Sequence, residues 1–265
     1  MSRIKIALAT VKPKTFYIAV KILKRLNLPF RSCTPMDNIC KEASFVITTA
    51  NEVDLIGHKR VLIIDDVPDE TTTALDVMIC HLSETPPQEI IIGVDPGLHN
   101  GIAVLVDGTV AFSRVLASPI DTSKLIIKLV THNRKRYPSS TTTTRIGIGS
   151  KLYSTLLLRH LEKSIPDLEP ELVDERYTTI QGGYFKDQFS AEMIALRKGR
   201  AIQESDLIIE PKRGFIRGLQ HLFRWLTDKN GDLSIESARM ILADEITLSE
   251  ALAQYHAMEK KRSTS

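Results

Sequence analysis

The chain has 265 residues, 43% hydrophobic and 25% charged, with a net charge of +3, the profile of a globular protein of about two domains. No apolar run approaches the roughly 20 residues that span a bilayer, and "MSRIKIALAT" is too short and too strand-like for a signal peptide, so a cytoplasmic protein with no membrane partner is expected. Cys33, Cys40 and Cys80 show no CxxC spacing and cannot all pair, which argues against a disulfide framework or a zinc site.

Residues 1–85 read as a small α/β domain. "IKIALAT" is a strand, Pro13 stands near the start of the amphipathic helix "KTFYIAVKILKRLN", and "FRSCT", "SFVITT" and "RVLIIDD" are further strands before the helix "ETTTALDVMICHLSE". Strands alternating with helices predict a parallel sheet. Pro86 and Pro87 in "SETPPQE" mark a linker, because proline suits neither helix interior nor central strand.

Residues 89–205 read as a second domain. "EIIIGVD", "NGIAVLVDG" and "TVAFSRVL" are consecutive strands with turn residues between them, which predicts an antiparallel meander. A helix over Thr122–Arg136, the loop "PSSTTTT", the strand "RIGIG", the helix "KLYSTLLLRHLEKS" and the strand "PELVDER" follow. A helix over Asp187–Gln203 closes this domain, and residues 206–265 form a helical extension packing on the core, with helices over Gly214–Thr227, Ile235–Ala243 and Leu248–Lys260.

Strand order and motifs together carry a resemblance. "GVDPGLHNGIAVL" is similar to the opening motif of RuvC-type Holliday junction resolvases and YqgF-type nucleases, and "LVDERYTT" resembles the YqgF-type "DER-T" segment. The likeness covers about Glu89–Gln203. It implies an α/β chain with a ribonuclease H-like mixed sheet flanked by helices. It also implies a metal-dependent endonuclease on structured nucleic acid, DNA favoured over RNA and branched DNA among the substrates, with roles in recombination and repair. A homodimer would suit two symmetric cuts.

The chemistry fits those residue types. Two Mg²⁺ or Mn²⁺ ions roughly 3.5–4 Å apart activate water and stabilise the leaving oxygen of a phosphodiester, and carboxylates hold them. By the resemblance Asp95 and Glu175 are catalytic metal ligands. Asp187 is the third candidate, with Asp206 as the alternative at a spacing nearer the YqgF pattern. Gly97, His99, Lys151, Arg176 and Thr178 are candidate nucleic-acid contacts. A surface salt bridge would be the plain account of Glu175, and an exposed turn that of His99.

Other features weigh less. Asp228–Arg239 resembles a calcium-binding loop, but Leu233 stands where glycine is needed and Arg239 where the bidentate glutamate belongs, so a turn leading into a helix is expected. Locally basic stretches, among them the one holding Lys212, Arg213, Arg217 and Arg224, could track a phosphate backbone or simply be solvated. Phe215, Phe223 and Trp225 could stack on bases, though helical spacing favours core packing. Two alternatives stand beside the nuclease: a nucleic-acid-binding protein whose centre has decayed, and, last, an actin-like ATPase.

Overall fold

The computed structural model describes residues 5–64, 69–175 and 186–263. The chain divides into two compact units, Met1–Glu89 with His132–Ser140, and Ile90–Thr131 with Thr141–Ser265.

The first unit holds strands β1 (Ile6–Ala9), β2 (Arg31–Cys33), β3 (Phe45–Thr49) and β4 (Val61–Ile64), in the order β2-β1-β3-β4 and all parallel. Side chains alternate across a strand, so the two faces of β1 have different neighbours. Ile6 and Leu8 share a core with Ile22 and Leu23 of α1 (Pro13–Arg25) and Val77 of α3 (Glu70–Leu82), whereas Ala7 and Ala9 pack with Cys40 of the short helix α2 (Ile39–Glu42). The sequence pattern had not marked α2, a single turn of four residues. Asp69 starts α3 by accepting from the Thr71 and Thr72 amides at 3.1 and 3.0 Å. The buried Asp76 accepts from His132 Nε2 and the Tyr137 hydroxyl, both at 2.8 Å, which secures His132–Ser140 to this unit.

In the second unit β5 (Glu89–Asp95), β6 (Asn100–Val106) and β7 (Thr109–Leu116) form an antiparallel meander, and β8 (Thr141–Gly147) pairs in parallel with β9 (Glu171–Val173). Helix α4 (Pro119–Arg136) links β7 to β8, and α5 (Lys151–Ser164) links β8 to β9. The sheet order β7-β6-β5-β8-β9 puts the first strand of the meander in the centre. That connectivity, closed by helix α6 (Lys186–Leu196), is the ribonuclease H-like fold.

Two differences from the sequence reading have local causes. The threonines read as a loop belong to β8 from Thr141 onward, because β-branched side chains suit a pleated strand even when polar. The last core helix stops at Leu196 instead of continuing to Gln203. Beyond it Leu172 and Arg200 exchange backbone hydrogen bonds of 2.7 and 2.9 Å, and a side chain on Gly199 would strike the Leu172 carbonyl. Glycine there lets the chain leave the helix and lie against β9.

The C-terminal helices α7 (Arg213–Leu226), α8 (Ile235–Leu242) and α9 (Leu248–Ser263) share one apolar cluster with Leu152 of α5. Ile216, Leu219, Leu222 and Phe223 of α7 are buried in it, at roughly 2 kcal/mol of stabilisation per side chain. Arg159, itself buried, donates to the Leu207, Ile241 and Leu242 carbonyls at 2.7, 3.1 and 3.1 Å, and burial holds its pKa below the usual value. It thereby adds donors to carbonyls at the end of α8, where the helix runs out of its own amides. Among the described residues no helix is long and apolar enough to cross a membrane.

Candidate active site

Asp95 ends β5 and stands opposite Gly101 in the antiparallel ladder, so both face the side of the sheet that α6 covers. A Cβ on Gly101 would collide with the Asp187 backbone carbonyl, and one on Gly93 would come within 2.6 Å of the Ala195 Cβ. The two glycines therefore let α6 settle against the sheet. From Gly93 to Asp95, β5 runs toward the start of that helix. Gly101 serves helix packing and does not lie open to a phosphate.

The two parallel strands run the same way. Near the far end of α6, Glu171, the first residue of β9, accepts from the Gly199 amide at 3.1 Å, and Arg145, in the second half of β8, reaches the Ala195 carbonyl. Burial alone would raise the Glu171 pKa, but hydrogen bonds from Arg145 and Gly199 bring it below its ordinary value. Just past β9, Glu175 lies over the end of β8. Its Oε1 accepts from the Gly149 amide at 2.9 Å, and a Cβ on either Gly147 or Gly149 would strike its carboxylate. The first turn of α6 with Asp187 thus lies over Gly101 opposite Asp95, Glu175 sits over Gly147 and Gly149 just past β9, and Asp95 and Glu175 are half-buried.

The donors present are hard oxygens, which suit Mg²⁺ or Mn²⁺, and Mg²⁺ is commonly held by one or two carboxylates with water. Among the described residues no three Asp, Glu, His or Cys side chains are close enough to share an ion. Asp187 lies in the first turn of α6, its backbone carbonyl over Gly101, and is not gathered with Asp95 and Glu175 as a trio. Asp206, the alternative, is engaged elsewhere. Its carboxylate accepts from both terminal nitrogens of Arg200 at 2.7 and 2.8 Å and from the Gln203 amide at 2.8 Å. The Arg200 guanidinium holds its pKa below the usual carboxylate value.

The candidate contact residues separate. Gly97 closes the β5–β6 turn, where a Cβ would come within 2.8 Å of the His99 carbonyl. His99 is exposed and meets the Trp225 ring edge-on, with centroids 5.2 Å apart. Lys151 donates to the Ser205 carbonyl at 2.6 Å, and burial lowers its pKa, so its ammonium is committed to the protein. Arg176 and Thr178 lie outside the described residues. Of the aromatic trio, Phe223 is buried and Phe215 packs against the same cluster, leaving Trp225 38% exposed. In the former calcium-loop stretch Asp232 accepts from Arg224, and Ser234 caps α8 by accepting from the Ser237 amide, so a turn leads into a helix.

Two features were missed in the sequence. The glycines of "GIGS" seat Glu175, and a glycine inside a strand is the general sign of such close approach. The contact of His99 with Trp225 joins residues far apart in the chain and has no local signature.

No family model and no curated protein matches the chain. Two crystal structures of Marinitoga piezophila Argonaute, one with a 5' OH guide RNA and one with guide RNA and target DNA, are similar over 64% of this chain, at 11% and 12% identity and TM-scores of 0.26 and 0.27. The chain covers 39% of those chains. At that level of likeness nothing about activity or substrate follows.

Proposed function

We propose that the second unit is a metal-dependent endonuclease acting on structured nucleic acid, branched DNA foremost, with Asp95 and Glu175 as the central carboxylates and Asp187 as the third. The observation that supports this reading is that two half-buried carboxylates follow strands of one ribonuclease H-like sheet, Asp95 at the end of β5 facing the start of α6 and Glu175 just past β9 on the Gly149 amide. Paired Mg²⁺ or Mn²⁺ supplies an activated water and stabilises the leaving oxygen in such chemistry. The chain's own contribution is positioning. Gly149 orients Glu175 through its amide, the glycines beneath α6 fix the end of β5, and His99 lies exposed on the turn that follows Asp95. Resolution of a junction needs two cuts, so the proposal includes a two-fold dimer.

The absence of a gathered trio among the described residues favours a second reading, a nucleic-acid-binding protein without cleavage. One experiment separates them. Mg²⁺ or Mn²⁺ is titrated against wild type, Asp95→Asn and Glu175→Gln while cleavage of a labelled four-way junction, duplex DNA and single-stranded RNA is followed. Cleavage that requires metal and falls at least about a hundredfold in both variants is the expected result. Binding of the same substrates with no cleavage, unchanged in Asp95→Asn, overturns the nuclease and leaves the binding protein.

A further inference from the structure

Helix α7 buries Ile216, Leu219, Leu222 and Phe223 and exposes the opposite side. At 3.6 residues per turn, Arg213, Arg217, His221 and Trp225 follow one another along that exposed side, rising about 6 Å per step. Arg213, Arg217 and His221 take no hydrogen bond or ion pair among the described residues. Their neighbour Arg224 differs, since Asp232 holds it at 2.7 Å. Two cationic side chains four residues apart repel each other, a mild cost in an isolated helix that no internal partner offsets here.

The strip ends on a fixed aromatic ring. The Trp225 indole N–H donates to the Ala117 carbonyl at 3.1 Å, and the His99 ring meets it edge-on, yet the residue remains 38% exposed. A tryptophan whose polar atom is satisfied and whose ring is held, but which is still open to solvent, is suited to stacking. His99 belongs to the turn that begins after Asp95. The strip is therefore continuous, through Trp225 and His99, with the turn that follows Asp95.

We infer that this face of α7 is a binding ridge for one strand of nucleic acid. Arg213 and Arg217 contact successive phosphates, and an unpaired base stacks on Trp225 before the strand reaches the Asp95 turn. The inference rests on the nucleic-acid reading above and adds the strandedness of the substrate and the residues that guide it. Charge favours a polyanion, and the exposed ring favours an unpaired base over a duplex, whose bases are already stacked. Lys151, which the sequence nominated for phosphate contact, has no part in it.

Trp225 is the chain's single tryptophan, so intrinsic fluorescence reports on this position alone. Full-length protein is titrated with fluorescein-labelled oligo(dT) and with a duplex of equal length, reading anisotropy and tryptophan emission together. The expected result is binding of oligo(dT) with quenching of the tryptophan, and weaker binding of the duplex. Trp225→Leu should weaken oligo(dT) binding by about tenfold. Arg213→Ala with Arg217→Ala should weaken it further and flatten the dependence of log affinity on log salt by about 1.4, two phosphates' worth of released counterion on a single strand. Unchanged circular dichroism and melting confirm that these exposed changes leave the fold intact. Oligo(dT) binding without quenching, an unchanged salt slope in the double variant, or a duplex bound as tightly as the single strand overturns the ridge while leaving the nuclease reading in place. Wild type that binds neither probe overturns both.

Discussion

Each unit places carboxylates where strands end, and the two treat them differently. In the first, Glu52 follows β3 and is buried; its Oε1 accepts from the Val11 amide just past β1 at 2.8 Å, and its Oε2 from the Thr49 hydroxyl at 2.6 Å. Both oxygens are used to fasten two strand ends. In the second, Asp95 and Glu175 also stand at strand ends, but they are half-buried, and the Gly149 amide beneath Glu175 donates to its Oε1. The same residue type in the same topological place is a fastening in one sheet and a candidate reaction centre in the other. Burial makes the difference, since solvent and a ligand can approach the half-buried Asp95 and Glu175 while Glu52 is enclosed and bonded within the protein.

That contrast can be broken by substitution. Gly101→Val forces α6 away from β6 and should cost about 3 kcal/mol in the second unit, seen as a lower denaturant midpoint for its transition while that of the first unit stays in place. Glu52→Ala leaves the Val11 amide and Thr49 hydroxyl without their acceptor and should cost about 2 kcal/mol, this time in the first unit. Glu175→Gln, by contrast, should change the melting midpoint little, within about 0.5 kcal/mol, while abolishing metal-dependent cleavage. A large loss of stability in Glu175→Gln would make Glu175 a fastening like Glu52.

Acid sharpens the same comparison. Burial works to raise the Glu52 pKa, but hydrogen bonds from Thr10, Thr49 and Val11 outweigh it and bring the value below the ordinary 4.5. A depressed folded pKa means that the bonded carboxylate contributes its stabilisation fully above pH 4.5 and loses it as pH falls through the lower folded value. Denaturant melts between pH 6 and 3 should therefore show a loss that Glu52→Gln removes. An acid limb equally steep in that variant would assign the loss to other carboxylates.

Much of this was legible in the chain. Short apolar runs in "EIIIGVD" and "NGIAVLVDG", with turn residues between, specified a meander because run length and turn chemistry are local properties. The apolar spacing of "RGFIRGLQHLFRWL" specified α7, and the core packing it favoured holds for Phe223, while Trp225 stays exposed. Threonine misled, since polarity spoke for a loop and β-branching for the strand that forms.

Sequence by itself thus determined the main strands and helices, their order and the nomination of Asp95, Glu175 and Asp187, because hydrophobic period, turn residues and motif spacing are all written along one dimension. Only the tertiary structure decided that Gly101 seats α6, that Gly149 orients Glu175, that Arg200 engages Asp206 and Ser205 engages Lys151, and that Trp225 meets His99. Those outcomes depend on which distant backbones approach within a few ångströms, and packing sets such distances only once the whole sheet and its helices are assembled.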